Sequence, residues 1–121
     1  MQYLCLVYHS EDYLAALSDA EYRAVVAETF AHNEELIASG HLLAGNALAP
    51  VAAATTVRVG GNGQVSITDG PFVETREQLG GYLLLEARDL NEAIRIAAAM
   101  PPARMGGGIE VRPVKDLNGP R

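Results

Sequence analysis

Thr68-Asp69-Gly70-Pro71-Phe72-Val73-Glu74-Thr75-Arg76-Glu77-Gln78-Leu79-Gly80-Gly81-Tyr82 packs a turn, a charged crossing and the start of an apolar strand into one short run. Asp-Gly-Pro is turn chemistry: the carboxylate bonds backbone two residues on, glycine permits an unusual φ, and proline presets the next turn. Phe72 then reads as the anchor of this loop in the core. Glu74, Arg76 and Glu77 form either a surface charge cluster or a site at which Arg76 presents its planar fork to an anion. From Gly81 to Ala87 the chain is apolar and reads as a strand.

Outward from this run the pattern alternates. On its amino-terminal side, Thr55 to Val59 and Gln64 to Thr68 flank Gly60-Gly61-Asn62-Gly63, a hairpin signal with β-branched residues on both arms. His41 to Leu48 reads as a strand broken at Pro50. Ser18-Asp19-Ala20-Glu21 reads as a capping box. The helix it opens carries Tyr22, Val25, Val26, Phe30, Leu36 and Ile37 on one stripe and stops at Gly40. Tyr3 to Tyr8 is a short, almost wholly apolar strand. On the carboxyl side, Asp89 caps a helix from Leu90 to Met100, which Pro101-Pro102 ends. Gly106-Gly107-Gly108 leads into a last strand, Ile109 to Val114, and residues 115–121 form a loose polar tail.

The order is β-α-β, an inserted hairpin, then β-α-β, so the sequence predicts one α+β domain over residues 1–114 with a ferredoxin-like split βαβ arrangement. Tyr3–Tyr8 and Tyr82–Ala87 are apolar at almost every position, which calls for cover on both faces of the sheet. Two helices cover one face. A second copy of the same sheet is the simplest cover for the other, and about 800 Å² per partner is typical of a stable interface. The expectation is a homodimer joined through its sheet faces, a dimeric α/β barrel.

The 121 residues are 49% hydrophobic and 20% charged, with a formal net charge of −6, the balance of one ordinary globular domain. An acidic chain is poorly suited to a nucleic-acid backbone. No apolar run approaches the roughly 20 residues needed to span a bilayer. The amino terminus does not read as a signal peptide, so a cytoplasmic location is expected. Cys5 is the only cysteine and reads as a small buried hydrophobe; no disulfide framework, metal-ligand spacing or cofactor fingerprint is present, so neither metal nor cofactor is expected.

Asp69-Gly70-Pro71-Phe72 resembles the signature of the DGPF branch of the YCII-related family, and the likeness runs along nearly the whole chain. It takes in Glu34-Glu35-Leu36 with Gly40, Ala44-Gly45, Thr55-Thr56-Val57-Arg58, Glu74 to Gly81, Asp89 to Ala93 and Glu110 to Val114. The resemblance implies the ferredoxin-like dimeric barrel and leaves the activity open. In one branch of the family a histidine of the first helix and an aspartate near the end of the second are proposed as an acid–base pair. His32, eight residues before Gly40, stands at a similar position; the aspartate position falls near Met100, where a methionine stands. Some relatives are encoded beside alternative sigma factors, which implies a regulatory association as the other reading.

His32 and Asp69 are therefore the candidate catalytic pair, with Arg76, Glu74, Phe72 and Asn33 as candidate ligand-binding residues. Histidine suits proton transfer because its pKa lies near neutrality. Asn33 falls near the middle of the helical stripe, so its amide either bonds backbone or faces a cavity. A catalytic pair requires His32 and Asp69 within about 6 Å, opening on one cavity. His9, beside Ser10-Glu11-Asp12, is a weak metal signal, and His41 reads as exposed. The expected function is acid–base chemistry, lyase- or hydrolase-like, in a small-molecule pocket. The alternative is a non-catalytic ligand-sensing or protein-interaction module tied to transcription.

Overall fold

The computed structural model describes all 121 residues. In chain order they form β1 (Gln2–Ser10), α1 (Glu11–Ala15), α2 (Asp19–Ala38), β2 (Leu42–Ala47), β3 (Thr55–Val59), β4 (Val65–Asp69), β5 (Glu77–Glu86), α3 (Leu90–Ala98) and β6 (Gly108–Pro113), with 3-10 turns at Val51–Ala53 and Pro101–Arg104. Four strands make one sheet in the order β2-β5-β1-β6. Every neighbouring pair in it is antiparallel. β3 and β4 pair only with each other.

Local chemistry accounts for the helix starts. Ser18 Oγ accepts from Glu21 N–H at 3.1 Å while Glu21 Oε1 accepts from Ser18 N–H at 2.9 Å, the reciprocal capping box at the head of α2. The backbone bond from Ser18 holds the Glu21 carboxyl below the usual carboxylate range. Asp89 Oδ1 accepts from Glu92 N–H at 2.9 Å and starts α3. The short α1 was not expected; Ser10 caps it through Tyr13 N–H. His41 is not free at the surface as expected. Its Nδ1 pairs with the Glu86 carbonyl at 2.8 Å, fastening the entry of β2 to β5.

Pleat alternation divides the sheet into two unlike faces. Tyr3 opposite Leu85, Cys5 opposite Leu83 and Val7 opposite Gly81 point to one side. There Cys5, Leu85, Leu36 of α2, Ala97 of α3 and Met100 form one buried cluster, and Tyr3, Ala87 and Ala93 another. Both helices thus lie on this face. Cys5 is fully buried, and desolvation pushes its thiol up to about 11, as expected of a packed and unreactive cysteine. Leu4 opposite Leu84 and Leu6 opposite Tyr82 occupy the other face, where all four side chains are half-buried with no helix over them.

Three expectations need correction. The α2 stripe is not packed: Leu36 alone is buried, and Phe30 is 64% exposed. The helix touches the sheet near its carboxyl end and stands off along the rest, because Tyr22, Val26 and Phe30 border an open cleft. Phe72 is 68% exposed, not anchored in the core; it stacks under the Arg58 guanidinium at 4.6 Å. Finally, β5 begins at Glu77, ahead of the apolar run, since Glu77, Gln78 and Leu79 already pair with Ser10, His9 and Tyr8.

Because the capping box satisfies two otherwise orphaned N–H groups of α2, Ser18→Ala is expected to cost about 1 kcal/mol in urea unfolding. An unchanged midpoint would show that the start of this helix contributes nothing to stability.

Candidate functional site

The main cavity, about 840 Å³, lies between α2 and the sheet. Such a volume is within the ordinary range for a small-molecule site. Val25, Val26 and Phe30 form its α2 wall, Val7, Gly81 and Leu83 its sheet wall, and Met100 with Pro101 and Pro102 closes one end.

Among its polar side chains, Thr29 is bonded to the Val25 carbonyl and Asn46 of β2 to the Tyr82 hydroxyl, and Tyr22 adds a second phenol. His32 and Asn33 line it from α2, His9 from the end of β1, and Glu11 from α1. Glu11 is engaged, since its Oε2 accepts from Val51 N–H at 2.9 Å and ties the first 3-10 turn to the cavity rim. The two imidazoles differ in this respect. The Nδ1 atoms of His9 and His32 are buried and without a hydrogen-bond partner. A buried polar atom left unpaired costs about 1–3 kcal/mol, so native structures seldom leave one without a reason.

His9 is placed by two glycines distant in sequence. β5 has one residue more than β1 between the pairs Val7–Gly81 and Tyr8–Leu79, a bulge whose extra residue is Gly80. The His9 ring lies directly on Gly80: a Cβ there would sit 1.8 Å from Nε2. From the other side a Cβ on Gly107 would fall 2.0 Å from the Tyr8 carbonyl oxygen and 2.8 Å from His9 Cα. The glycine run before β6 is thus a close backbone approach that fixes the end of β1.

The residues singled out from the sequence divide between places. His32 and Asn33 share the main cavity, so the amide of Asn33 faces the space under α2. Asp69 does not border it. It ends β4, exposed and paired with Thr55, and Gly70 after it takes φ +108, the left-handed backbone that glycine accommodates. Phe72 borders a second, shallower depression with Pro71 and Val73. Glu74 and Arg76 are exposed and line neither cavity. Their segment is held by Gln78, whose Nε2 donates to the Val73 and Thr75 carbonyls at 3.0 Å each. No group of three or more His, Cys, Asp or Glu residues is placed to hold a metal ion, and His9, Glu11 and Asp12 do not form one. His9, weighed from the sequence only as a weak metal signal, also lines the cavity. Its ring packs on the bulge residue Gly80 of β5, and Gly107, just ahead of β6, approaches its Cα.

An antiparallel sheet with helices on one face and an open, histidine-bearing cavity beneath the longer helix defines an α+β fold. A YCII-related domain matches residues 1–118, and the chain belongs to that family. The uncharacterized protein R00369 of Rhizobium meliloti (strain 1021) is 35% identical over 115 residues, spanning 94% of this chain and 92% of that protein. Among solved structures, 5-chloro-2-hydroxyhydroquinone dehydrochlorinase (TftG) of Burkholderia phenoliruptrix AC1100, in complex with 2,5-dihydroxybenzoquinone, is similar with a TM-score of 0.56. The likeness covers 98% of this chain and 97% of that one at 17% identity, a likeness of fold.

Gly107→Ala is expected to destabilise the domain by about 1–3 kcal/mol, because the added methyl meets backbone that cannot yield cheaply. Gly108→Ala, with nothing within 4 Å of its Cβ, should leave the thermal midpoint nearly unchanged. Equal effects of the two would contradict the close approach at His9.

Proposed function

We propose that this YCII-related protein binds a small organic molecule in the cavity beneath α2 and acts on it by proton transfer through His32, as a cytoplasmic homodimer joined sheet to sheet. The observation that carries the reading is the His32 imidazole in the wall of a largely apolar cavity of ligand size, with no hydrogen bond to the rest of the chain. The likeness of fold to a dehydrochlorinase that holds a dihydroxybenzoquinone favours a small-molecule enzyme over a structural role. Asn33 orients the ligand. Asp69, Phe72, Glu74 and Arg76 serve the loop and hairpin outside the cavity.

The strand order, with both helices on one side, supports the ferredoxin-like reading, and the half-buried Leu4, Leu6, Tyr82 and Leu84 support a dimeric α/β barrel. The hairpin adds to this. Val57, Val59, Val65 and Ile67 share one of its faces, and all are strongly exposed in the single chain. A lone two-stranded hairpin is marginal in water, so a second copy that covers apolar surface is the simplest stabiliser.

A second reading, a ligand sensor without turnover, is favoured by the position of Asp69, which leaves His32 without the carboxylate partner expected of an acid–base pair. Thermal-shift screening with hydroxylated aromatic compounds, 2,5-dihydroxybenzoquinone among them, tests both readings. Ligand-dependent stabilisation is expected for the wild type and its loss for His32→Gln, since only binding to the native state raises the midpoint. Product detected by mass spectrometry after prolonged incubation marks the enzyme, and its absence the sensor. No shift with any compound, or an unchanged shift in His32→Gln, would contradict a site at His32.

A further inference from the structure

We propose that His9 and His32 form one two-imidazole site, and that it takes an uncharged or weakly acidic hydroxyl ligand on an apolar body, phenolic or enolic in type, and rejects phosphorylated or polycarboxylate compounds. The inference rests on the preceding reading that the cavity under α2 is a ligand site; it adds a second ligand-contacting residue and the chemical class of the occupant.

Three observations carry it. First, His9 and His32 come from different elements, border the same cavity, and are the two residues whose buried side-chain polar atoms lack any partner. Their closed-in Nδ1 atoms are out of reach of the cavity, but the Nε2 atoms are not closed off and make no hydrogen bond within the chain, so each ring keeps one nitrogen for a ligand in the shared space. Second, His9 is held there at a cost to the strand. The bulge at Gly80 interrupts the β1–β5 ladder, and only a residue without Cβ leaves room for the ring. Bulges that re-aim a side chain are frequent beside binding sites.

Third, the charge of the lining selects the occupant. Neither lysine nor arginine borders the cavity, and Glu11 is the one carboxylate that does. Arg76, the anion clamp expected from the sequence, is elsewhere. A phosphate or dicarboxylate entering here would lose its hydration and meet a carboxylate instead of a guanidinium fork. A neutral imidazole accepts a hydrogen bond from a hydroxyl, or its proton where the hydroxyl is acidic enough. The apolar walls of Val25, Val26, Phe30 and Leu83 cover the body of the ligand.

The test compares 4-nitrophenol with 4-nitrophenyl phosphate, which share an apolar ring and differ in hydroxyl against phosphate. Binding is measured by calorimetry, and the imidazole nitrogens of both histidines are followed by ¹⁵N NMR. For 4-nitrophenol the proposal predicts shifts at His9 and His32 together, with at most weak binding of the phosphate ester. His9→Gln should weaken 4-nitrophenol about tenfold, the loss of one hydrogen bond to a buried site. Gly80→Ala keeps the histidine and displaces its ring, so it should weaken binding similarly while the His32 response persists. The proposal is overturned if His32 responds and His9 does not, if both variants bind as the wild type does, or if the phosphate ester binds as well as the phenol. If neither compound moves either imidazole, the cavity reading itself fails and takes this proposal with it.

Discussion

Two helices can shield only one face of a four-stranded sheet, and most of this molecule follows from that shortage. Both helices pack over Tyr3, Cys5 and Leu85, where Leu36, Ala93, Ala97 and Met100 complete the core. Small residues on α3 bring it close to the sheet. Leu36, near the end of α2, is the one buried side chain of that helix. The rest of α2 borders open space, and the cavity is what remains between helix and sheet. Core and site are thus two ends of one layer, and the packing that fixes Leu36 also suspends His32 over the sheet.

The same shortage explains why so much apolar surface is left over. Leu4, Leu6, Tyr82 and Leu84 are only half-buried, and the hairpin shows a row of β-branched residues to solvent. At about 25 cal/mol per Å², covering a surface of this kind is the main favourable term available for association. The proposed homodimer uses it, while the cavity wall made by α2, Val7 and Leu83 lies on the opposite side of each sheet.

Local chemistry was legible in the sequence where one segment determines it. The capping box at Ser18 and Glu21, the hairpin around Gly60 to Gly63, and the start of α3 at Asp89 depend on residues a few positions apart. The packing of α2 was not legible, because the same helical stripe suits a filled core and the wall of a cleft. Phe72 misled for a related reason: an aromatic after a turn fits a core anchor, yet here it stacks under Arg58 from the neighbouring hairpin. Of the residues singled out from the helical stripe, His32 and Asn33 do line the cavity. The place of His9 in the cavity was not legible beyond a weak metal signal, because Gly80 and Gly107 approach it only in the folded chain.

The uncovered face of the sheet is the governing constraint, and solution mass tests it most directly. Light scattering coupled to gel filtration, from high to low micromolar concentration, should give twice the 12.8 kDa of one chain. Leu6→Lys, which places a charge on that face, should shift the mass toward a single chain. A folded, soluble species of 12.8 kDa for the wild type across this range would contradict the account.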